Sequence, residues 1–586
     1  MNLITLNIKD SLLKKKKFKK NSILIGDWCD VPNNIFTYKK NYRIAKNVYK
    51  YHTNYLKKKN EINYIGGVYN KILDNLSLSL NKYHKEDFNK KYWEILGHRW
   101  LYFYVAHMFS RWQVIKKILN NNPIKSLSTI NFGDNDFRPT DTWHAHNIMY
   151  SSDNYWNTWI FTEIIKENYK KITIDYFDIN KKKVKKKIKI YSRPIEFYDQ
   201  INIFFSKKIF LYKFYMSKFI KLKIFLHNFQ FFLSKKKKLF FFSELNNKLD
   251  NNFIYTYKKS TDKFYNFVNK MIIKNIPRIF IEDYERLKKE TEKLNWPEKP
   301  DFILTTHGQY YDEVFKLYAA KKIIKGSNFL IAQHGSVNIT ANTLFDNEYD
   351  KKISDRYLTW GWKDSKKTYP LYITTTQGIN EKSFKFLKNK KILLILYNLK
   401  HSLIKLPNGY LSDLEKKKLQ IYMNVNFLKE LNHDIFSKIN AKILSMENPN
   451  VVKNSILCKF PKLKFIKTNK LAYTLRNKFN LQIETYLSTG FLEAMHINRP
   501  VILLFNERII DGVNKSFKKY INLLQKNNII FTDPKKAANF INREYFNIQN
   551  WWNSSSVQQA RKKFCHTNCR HSNNPTLDFN KSLLLK

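Results

Sequence analysis

Short apolar runs recur along the chain, and turn residues follow each of them. The first run ends at Gly26, and similar runs occupy residues 302–306, 328–332 and 391–398. Short apolar runs bounded by turn residues are typical of the buried strands of an α/β sheet. Asp27 follows the first run, so the pattern predicts that its carboxylate lies just past the carboxyl end of an opening strand.

The segment from residue 301 to residue 335 has the pattern of a β-α-β unit. Between its two strands, apolar residues at helical spacing predict a helix, which Gly326 ends. The helix face is formed by Tyr311, Val314, Phe315, Tyr318 and Ile323. Crossover connections of this kind are right-handed and join parallel strands. The His-Gly pairs that begin at His307 and His334 are therefore predicted to lie at one sheet edge, where α/β proteins bind ligands.

A second α/β series begins with the strand at 391–398 and includes a turn that opens a helix. Ser488, Thr489 and Gly490 form this turn. The amino end of a helix offers free N–H groups and a positive dipole, which together bind phosphate or carboxylate groups. Ordinary capping of the helix by the serine is the simpler alternative. Glu493, in the first turn, is expected to complement the dipole or to hold a ribose hydroxyl.

Several other segments carry expectations about secondary structure. Residues 93–115 have an aromatic stripe at helical spacing, for which core packing is the favoured explanation. Residues 181–259, rich in lysine and phenylalanine, are expected to form helices with basic loops, and residues 455–461 and 463–467 are candidate strands. Within residues 201–242 lysines interrupt the apolar runs, so no membrane-spanning helix is predicted. An interfacial helix on an anionic membrane and a buried amphipathic element both remain open there.

The composition is that of a large globular protein with an extreme charge. Hydrophobic residues make up 43% and aromatic residues 16% of the 586 residues, which argues against a disordered chain. Lys and Arg number 105 against 48 Asp and Glu, a net charge of +57. Compositional bias toward lysine explains the origin of this excess, yet its field still attracts an anionic membrane surface. Since the chain lacks a compact motif of the nucleic-acid readers, no specific nucleic-acid partner is expected.

The cysteines and the amino terminus bear on the cellular location. Cys29, Cys458, Cys565 and Cys569 are scattered, and no second Cys or His pair completes the spacing of a zinc site. Scattered thiols suit a reducing cytoplasm. The first apolar stretch precedes its basic run and is too short for a signal peptide. We therefore expect a cytoplasmic protein, with peripheral attachment at the inner face of the cytoplasmic membrane as a further expectation.

Together these patterns predict an α/β fold with two Rossmann-like domains facing a cleft, a GT-B-like architecture with a helix-rich amino-terminal half and a C-terminal helix that packs back. The predicted units are an acceptor-side domain at 1–372, a linker at 373–390, a donor-binding domain at 391–546 and a helical tail at 547–586. Clefts between domains are favoured ligand sites. The sequence has no acidic pair placed after a strand and no glycine-rich phosphate loop, so we expect no metal and no other cofactor.

Several motifs together resemble a family of transferases found in bacterial O-antigen and surface-polysaccharide clusters. The matching pieces run nearly end to end and include LIGDWC, KYWEILGHRWLYFYVAHMFSRWQ, IAQHGS, EYDKKISDRYLTWGW, TYLSTGFLEAMHINRPVILLFN and the tail from IIFTDPKKAANF onward. The Gln-His-Gly and Ser-Thr pieces also look like features of capsule Kdo- or sialic-acid-type transferases and of glycerophosphate transferases. The resemblance implies a nucleotide-activated sugar as donor and a growing envelope glycan, lipid-linked or oligosaccharide, as acceptor.

Roles are assigned from these positions and from the resemblance. Asp27 is the first candidate for the base that deprotonates the acceptor hydroxyl, and His307 is the second. The predicted donor-binding residues are Gln333, His334, Gly335, Ser488, Thr489, Gly490 and Glu493. Asp355, Arg356 and Trp360 are expected to structure the loop before the linker, with Asp355 and Arg356 paired to each other. An inverting transfer is the working hypothesis, while the donor sugar, the acceptor, the stereochemistry and the oligomeric state stay open.

Two alternatives from other classes remain. A glycerophosphate-type transferase of envelope polymers would use the same anion sites, and binding of cytidine or uridine nucleotides would distinguish it from a glycosyltransferase. A non-enzymatic basic protein for RNA or membrane would show salt-dependent RNA affinity without nucleotide-sugar binding.

Overall fold

The structure is a computed structural model of the chain. It describes residues 1–6, 21–30, 32–37, 42–45, 55–132, 137–150, 154–177, 195–204, 209–228, 230–239, 249–336, 339, 345–379, 384–388, 391–398, 413–445, 450–468, 470 and 472–584. The predicted linker at 373–390 and the polar segment after Gly335 lie partly outside these residues.

An amino-terminal parallel sheet is the first of three in the described residues. It is built from β1 (Asn2–Ile4), β2 (Ser22–Leu24), β3 (Arg43–Ile44), β4 (Ser126–Ile130) and β5 (Thr173–Phe177). The strands lie in the order β3-β2-β1-β4-β5, the order of a Rossmann-like sheet. Its helices are α1 (Tyr55–His84), α2 (Lys90–Asn121) and α3 (Asn154–Asn168). The predicted strand before Asp27 and the predicted aromatic helix are both confirmed.

An antiparallel ribbon replaces much of the helical structure expected at 181–259. Strand β6 (Ile195–Phe204) pairs with β8 (Gln230–Leu239) along ten residues each, while β7 (Ile209–Tyr212) lies between them in the chain and joins another sheet. Among the described residues of this stretch, only α4 (Lys218–His227) is helical. The expectation of helices is confirmed at α4 and was wrong at β6 and β8, because isoleucine, phenylalanine and tyrosine favour strands and pairing satisfies the backbone of both segments. Among the described helices, none combines the length and apolar character needed to cross a bilayer.

The second parallel sheet contains the predicted β-α-β unit. Its further strands are β9 (Phe302–Thr305), β10 (Asn328–Ala332), β11 (Arg356–Thr359) and β12 (Thr368–Pro370), in the order β12-β11-β10-β9-β7. Its helices are α5 (Lys263–Ile272), α6 (Tyr284–Glu292), α7 (Glu313–Ile323) and α8 (Phe345–Ile353). Strands β9 and β10 pair in parallel around α7, as the sequence predicts. Both His-Gly turns therefore leave the sheet at its carboxyl edge.

The third parallel sheet carries the second α/β series. Its strands are β13 (Lys391–Asn398), β14 (Ile439–Ser445), β15 (Lys464–Phe465), β16 (Phe479–Glu484), β17 (Val501–Leu504) and β18 (Ile530–Phe531). The order β15-β14-β13-β16-β17-β18 is the six-stranded Rossmann order. In such a sheet the strand order reverses between β13 and β16, and ligands bind outside the carboxyl ends at that point.

Helices complete the third unit and return to the second. They are α9 (Asp413–Lys429), α10 (His433–Ser437), α11 (Val451–Lys459), α12 (Thr489–His496), α13 (Lys515–Lys526), α14 (Pro534–Glu544), α15 (Ile548–Asn553), α16 (Ser555–Asn568) and α17 (Pro575–Ser582). The strand predicted at 455–461 was wrong, because residues 455–459 continue α11. The start of this helix is capped by Asn450, which accepts from the Lys453 amide at 3.0 Å. The short strand predicted at 463–467 is β15.

Apolar cores connect the layers. One buried cluster runs from Leu3 in the first sheet to Trp362 after the second, so these two sheets share a core. Another lies around the third sheet and includes Trp360. A third joins the second sheet to Phe579 on α17, which confirms that the C-terminal helix packs back. The structure thus has one more parallel sheet than the two that the sequence predicts.

The start of the predicted linker is ordered and buried. Ile373 belongs to the core of the third sheet, and Gln377 exchanges two hydrogen bonds with the backbone of Ser572. Thr376 Oγ1 lies 2.9 Å from Nδ1 of the buried His496. The connection between the second and third sheets is therefore held by packing as well as by chain continuity.

Candidate functional site

Two histidines meet at the carboxyl edge of the second sheet. His307 follows β9 and His334 follows β10, and their ring centroids are 5.2 Å apart. The ring of Tyr215 lies 6.0 Å from His307 and 5.5 Å from His334. The two histidines meet because β9 and β10 are adjacent parallel strands, so both turns leave the sheet side by side, as the sequence predicts.

Both imidazoles are held in the neutral form. Burial lowers the pKa of His307 to about 3, and the neighbouring His334, Lys213 and Arg99 act in the same direction. Burial and Arg99 also lower the pKa of His334. Neutral imidazoles at the edge of a cationic site can accept a proton or a hydrogen bond, which is the chemistry of a base or of a polar ligand contact.

Arg99 on α2 lies beneath this pair and is only 5% exposed. Its guanidinium carbon is 4.5 Å from the ring centroids of Phe103 and Tyr310, and its Nη2 donates to the Tyr311 hydroxyl at 3.0 Å. That hydroxyl lies 2.7 Å from Nδ1 of His146. Sequence reasoning missed Arg99 because it lies in an aromatic stripe that was attributed to core packing. A buried arginine inside such a stripe is the signal that was available.

Lys213 provides a second cation next to His307. It follows β7 in a left-handed backbone conformation and forms a salt bridge with Asp312. Asp312 also accepts from the Tyr212 hydroxyl at 2.6 Å and caps α7 through the Phe315 amide. Because three donors hold the carboxylate of Asp312, the ammonium of Lys213 has a fixed position. The lysine-rich sequence offered no way to distinguish this residue from its neighbours.

A buried acid completes the floor of the second sheet's edge. Asp350 on α8 accepts from the Tyr310 hydroxyl at 2.7 Å and from Gln309 at 3.0 Å. Burial raises the pKa of Asp350 to about 7, although these hydrogen bonds and Arg99 oppose the shift. Asp350 therefore fixes Tyr310, on which Arg99 stacks.

The turn after β10 has separate roles for its residues. Gln333 Oε1 accepts from the Trp360 amide at 2.9 Å and from the Trp362 indole at 2.7 Å, so this side chain organises the Trp-Gly-Trp segment. Gly335 has φ +69°, and a Cβ there would lie 2.8 Å from Thr489 Oγ1. The turn of the second sheet therefore touches the turn of the third, and the absence of a side chain at Gly335 allows this approach.

The third sheet contributes the amino end of α12 at its topological switch point. Ser488 caps the helix by accepting from the Phe491 amide at 3.1 Å, while Thr489 faces Gly335. The neighbouring rings of Tyr397 and Tyr486 stack at 4.9 Å beside the ends of β13 and β16. Ser488 thus has the capping role that was the simpler alternative, and the free N–H groups of the first turn remain a feature of this edge.

Two buried glutamates lie behind this helix end. Burial raises the pKa of Glu484 to about 7, and burial likewise raises the pKa of Glu493 to about 7. Glu484 Oε1 accepts from Gln482 at 2.7 Å and would be 2.5 Å from a Cβ at Gly490, so the glycine makes room for the carboxyl. Glu493 was predicted to contact the donor, and Glu484 is an additional acid that the sequence analysis missed.

Asp27 lies at the carboxyl edge of the first sheet. It begins a short 3₁₀ turn, Asp27–Cys29, directly after β2 and is half-buried. The following segment reaches the third unit, because the Ile35 amide donates to Ser455 Oγ on α11 at 3.1 Å. The structure therefore places Asp27 past its strand as expected, on a different sheet from the histidine pair.

The residues assigned to loop structure bind separate partners. Asp355 accepts from the Phe329 amide at 2.7 Å, which ties the end of α8 to β10. Arg356 donates from Nη1 to the carbonyls of Ser582 and Leu584, each at 2.8 Å, and so holds the end of α17. Trp360 is buried, and its carbonyl accepts from the Arg570 amide at 2.9 Å. The expected pairing of Asp355 with Arg356 is replaced by these backbone contacts.

The described residues contain no group of three His, Cys, Asp or Glu side chains arranged to hold a metal ion.

The carboxyl edges of the second and third parallel sheets meet where Gly335 approaches Thr489, which is the GT-B-like α/β architecture that the sequence predicts. The chain belongs to the LIC12162 family of transferases, because the model of that family matches residues 1–583. No curated protein matches the chain.

Solved structures give partial likenesses. The wall teichoic acid polymerase TagF shares 12% identity over 52% of this chain and 82% of its own, with a TM-score of 0.29. MurG of Acinetobacter baumannii shares 11% over 53% and 86%, with a TM-score of 0.28. A UDP-N-acetylglucosamine 2-epimerase shares 11% over 48% and 74%, also with a TM-score of 0.28. At these scores the likenesses carry no functional conclusion for this chain.

Proposed function

We propose that this transferase moves a glycosyl group from a nucleotide-activated donor to a growing surface polysaccharide of the O-antigen or capsule kind, without a metal ion. The contact of Gly335 with Thr489 is the observation that carries the proposal. It joins a cationic, histidine-bearing edge to the amino end of a helix at a switch point, and both features favour a phosphorylated ligand.

The donor phosphates are proposed to lie at the amino end of α12. Thr489 and the first-turn N–H groups would donate to phosphate oxygens, and His334 would donate from one ring nitrogen on the opposite side. Arg99 and Lys213 would attract the negative charge without touching it. In a buried site such fixed donors and cations stabilise the leaving nucleotide, because charge develops on the phosphate oxygen as its bond to the sugar breaks.

His307 and Asp27 are the two candidates for the base. The base takes the proton of an acceptor hydroxyl while the new oxygen–carbon bond forms at the sugar and the bond to the nucleotide breaks. With a pKa of about 3, His307 is a weak base in the free protein. A bound diphosphate offsets the neighbouring cations, so donor binding would raise the pKa of His307 toward working pH. Asp27 would serve only if the first sheet's edge reaches the acceptor.

The proposal is tested by assaying transfer to a polysaccharide acceptor with purified variants. His334→Ala is expected to lower transfer by at least about a hundredfold, in the range of a lost oxyanion donor. Ser488→Ala is expected to lower transfer as well, because it removes the cap that holds the amino end of α12. His433→Ala removes an exposed histidine and is the matched control. Asn514→Ala removes a cap from α13 and controls for the stability that Ser488→Ala loses. Full transfer by the His334 and Ser488 variants would place the site elsewhere.

The net charge of the chain favours an alternative function, the binding of polyanions without catalysis. A net charge of +57 draws the protein to polyanions, and we place it at the inner face of the cytoplasmic membrane. If RNA binds with strong salt dependence while uridine and cytidine nucleotides do not bind, a basic binding protein replaces the transferase proposal. Exclusive use of a cytidine-linked glycerol donor would instead identify a glycerophosphate-type transferase.

A further inference from the structure

A separate groove opens among helices α1, α2, α3 and α5, on the helical side of the amino-terminal unit. Its volume is about 670 Å³, which is within the range of roughly 300–1,000 Å³ typical of ligand sites. None of its lining residues belongs to the candidate site described above.

Aromatic rings form the apolar part of this groove. They are the rings of Tyr64, Phe109, Trp112, Tyr169 and Phe264. The centroids of Tyr64 and Phe109 are 5.6 Å apart, those of Phe109 and Phe264 are 5.4 Å apart, and those of Trp112 and Phe264 are 5.7 Å apart. Tyr64 is 38% exposed and Trp112 is half-buried, so ring surface faces the groove. Every apolar lining residue is aromatic, so the floor is rigid compared with an aliphatic groove. The ring planes of these three pairs are inclined by 50°, 81° and 68°, so the floor presents ring faces and ring edges.

Amide side chains provide hydrogen-bonding groups around the rings. Asn60, Gln113 and Asn168 line the groove, and each amide offers both donors and acceptors. Hydroxyl groups of a ligand likewise donate and accept, so an amide rim matches a polyhydroxylated ligand. The C–H faces of a sugar ring match the aromatic floor.

The charge of the groove is balanced in a strongly basic protein. The lining contains the two acids Glu61 and Asp262 and the two lysines Lys116 and Lys263, so the formal charges cancel. Asp262 also accepts from the Tyr64 hydroxyl at 2.7 Å. The whole chain carries +57. A neutral lining on such a protein disfavours nucleic acid or anionic lipid as the occupant, because those ligands gain most where the cations are unbalanced.

We propose that this groove binds an uncharged stretch of a glycan, as a holding site for the acceptor chain. The inference rests on the proposed function for its biological role. Helix α2 connects the two places, because it carries Arg99 beneath the histidine pair and Trp112 in the groove. At about 1.5 Å per residue, these positions are roughly 20 Å apart along the helix axis. A long acceptor would therefore occupy the groove while its end is elongated at the histidine site.

The test measures binding of neutral hexasaccharides of glucose, galactose, rhamnose and N-acetylglucosamine to the full chain by calorimetry. At least one is expected to bind, and Trp112→Ala is expected to weaken it about tenfold, the loss that follows from about 1.4 kcal/mol of ring contact. Gln113→Ala, which keeps the aromatic packing, should weaken it as well. Tyr422→Ala removes an exposed ring on α9 and should change nothing.

Separate readouts distinguish this inference from the proposed function. His334→Ala should leave hexasaccharide binding unchanged, and Trp112→Ala should leave uridine and cytidine nucleotide binding unchanged. If the wild-type protein binds a hexasaccharide but neither uridine nor cytidine nucleotides, the transferase proposal is contradicted and the glycan assignment stands. The glycan assignment would be overturned if no hexasaccharide binds, or if the Trp112 and Gln113 variants bind with wild-type affinity. Competition for the groove by a short single-stranded RNA or by phosphatidylglycerol vesicles would overturn it as well.

Discussion

At the scale of single residues, burial and, to a smaller extent, nearby cations keep two histidines neutral. Arg99 and Lys213 are fixed by Tyr311 and Asp312, so they act on His307 from constant positions. Such a field weakens a base until an anion arrives, which would couple proton transfer to the presence of the donor. This coupling gives His307 a pH signature that Asp27 would lack.

The first prediction concerns the pH dependence of transfer. A base must be deprotonated, so activity is lost as pH falls through its pKa. The kcat/KM for the donor reports the free enzyme, where the pKa of His307 is about 3, and kcat reports the donor complex. Because the donor's charge raises this pKa, the acidic limb of kcat should lie at higher pH than that of kcat/KM. Coincident limbs, or an unchanged kcat limb in His307→Ala, would assign the base to Asp27 or another group.

A second prediction concerns Gly335. In Gly335→Ala the left-handed backbone costs about 1–2 kcal/mol, and the new methyl group pushes against Thr489. Nucleotide binding should therefore fall together with stability, as measured by calorimetry and thermal unfolding. Gly326→Ala also places a side chain at a positive φ, +100°, but with open space around it, so it should lose stability and keep nucleotide binding. Equal binding losses in both variants would show that strain alone is responsible.

The sequence predicted those site residues that stand next to strand ends. His307 and His334 follow adjacent apolar runs of one sheet, so their neighbourhood could be inferred from parallel pairing alone, while the turn at Ser488 follows a strand of the third sheet. Arg99 and Lys213 could not, because their approach depends on how α2 and β7 pack against the sheet. Gln333 was predicted to bind the donor because it precedes His334, but the sequence did not show that its amide binds Trp360 and Trp362.

At the scale of elements, the amino end of α12 lies at the switch point of the third sheet, and two buried acids lie behind it. Glu484 and Glu493 are both more easily protonated in the folded protein than in the unfolded chain. The folded protein therefore binds these protons more tightly than the unfolded chain does. The stability that this contributes is lost as pH rises toward and past 7.

The third prediction follows from that sign. Glu484→Gln removes a buried group that must ionise at high pH, while keeping an acceptor for Gln482. Its gain in unfolding free energy should be on the order of 2 kcal/mol larger at pH 8 than at pH 5, from the displaced pKa. Urea unfolding at both pH values measures this. Glu298→Gln, at an exposed position, should show no such difference. A gain that is equal at both pH values would contradict the buried ionisation.

Among the elements, long periodic segments were predicted well and short or lysine-rich ones poorly. The helix at α2 and the strand at β13 have patterns long enough to define their type. The segment 455–461 is a brief apolar run that fits a strand or a helix, and the cap at Asn450 decided for the helix. In β6 and β8, pairing between distant segments determined the structure, which no local pattern contains.

At the scale of the whole molecule, the first sheet changes the expected architecture. Its strands β1 and β3 contain three and two residues, so they leave little pattern in the sequence. The second and third sheets are joined by the buried segment before Gly378 and by the returning C-terminal helices. Tail and linker together therefore set the position of the histidine edge against α12.

The fourth prediction tests this return. Phe579 on α17 is fully buried against the second sheet, and Leu577 on the same helix is 47% exposed. Phe579→Ala should lower the unfolding free energy by about 3–5 kcal/mol and weaken nucleotide binding, because the sheet loses its outer support. Leu577→Ala should change stability by less than about 0.5 kcal/mol. A stable Phe579 variant in urea unfolding would show that the tail does not hold the sheets.

Calorimetric titration of the full chain with UDP and CDP tests the central claim most directly, that the Gly335–Thr489 contact marks a nucleotide-donor site. One of the two is expected to bind at a single site, with affinity lost in His334→Ala and kept in His433→Ala. Absence of binding by both nucleotides, or equal affinity in the His334 variant, would contradict the account.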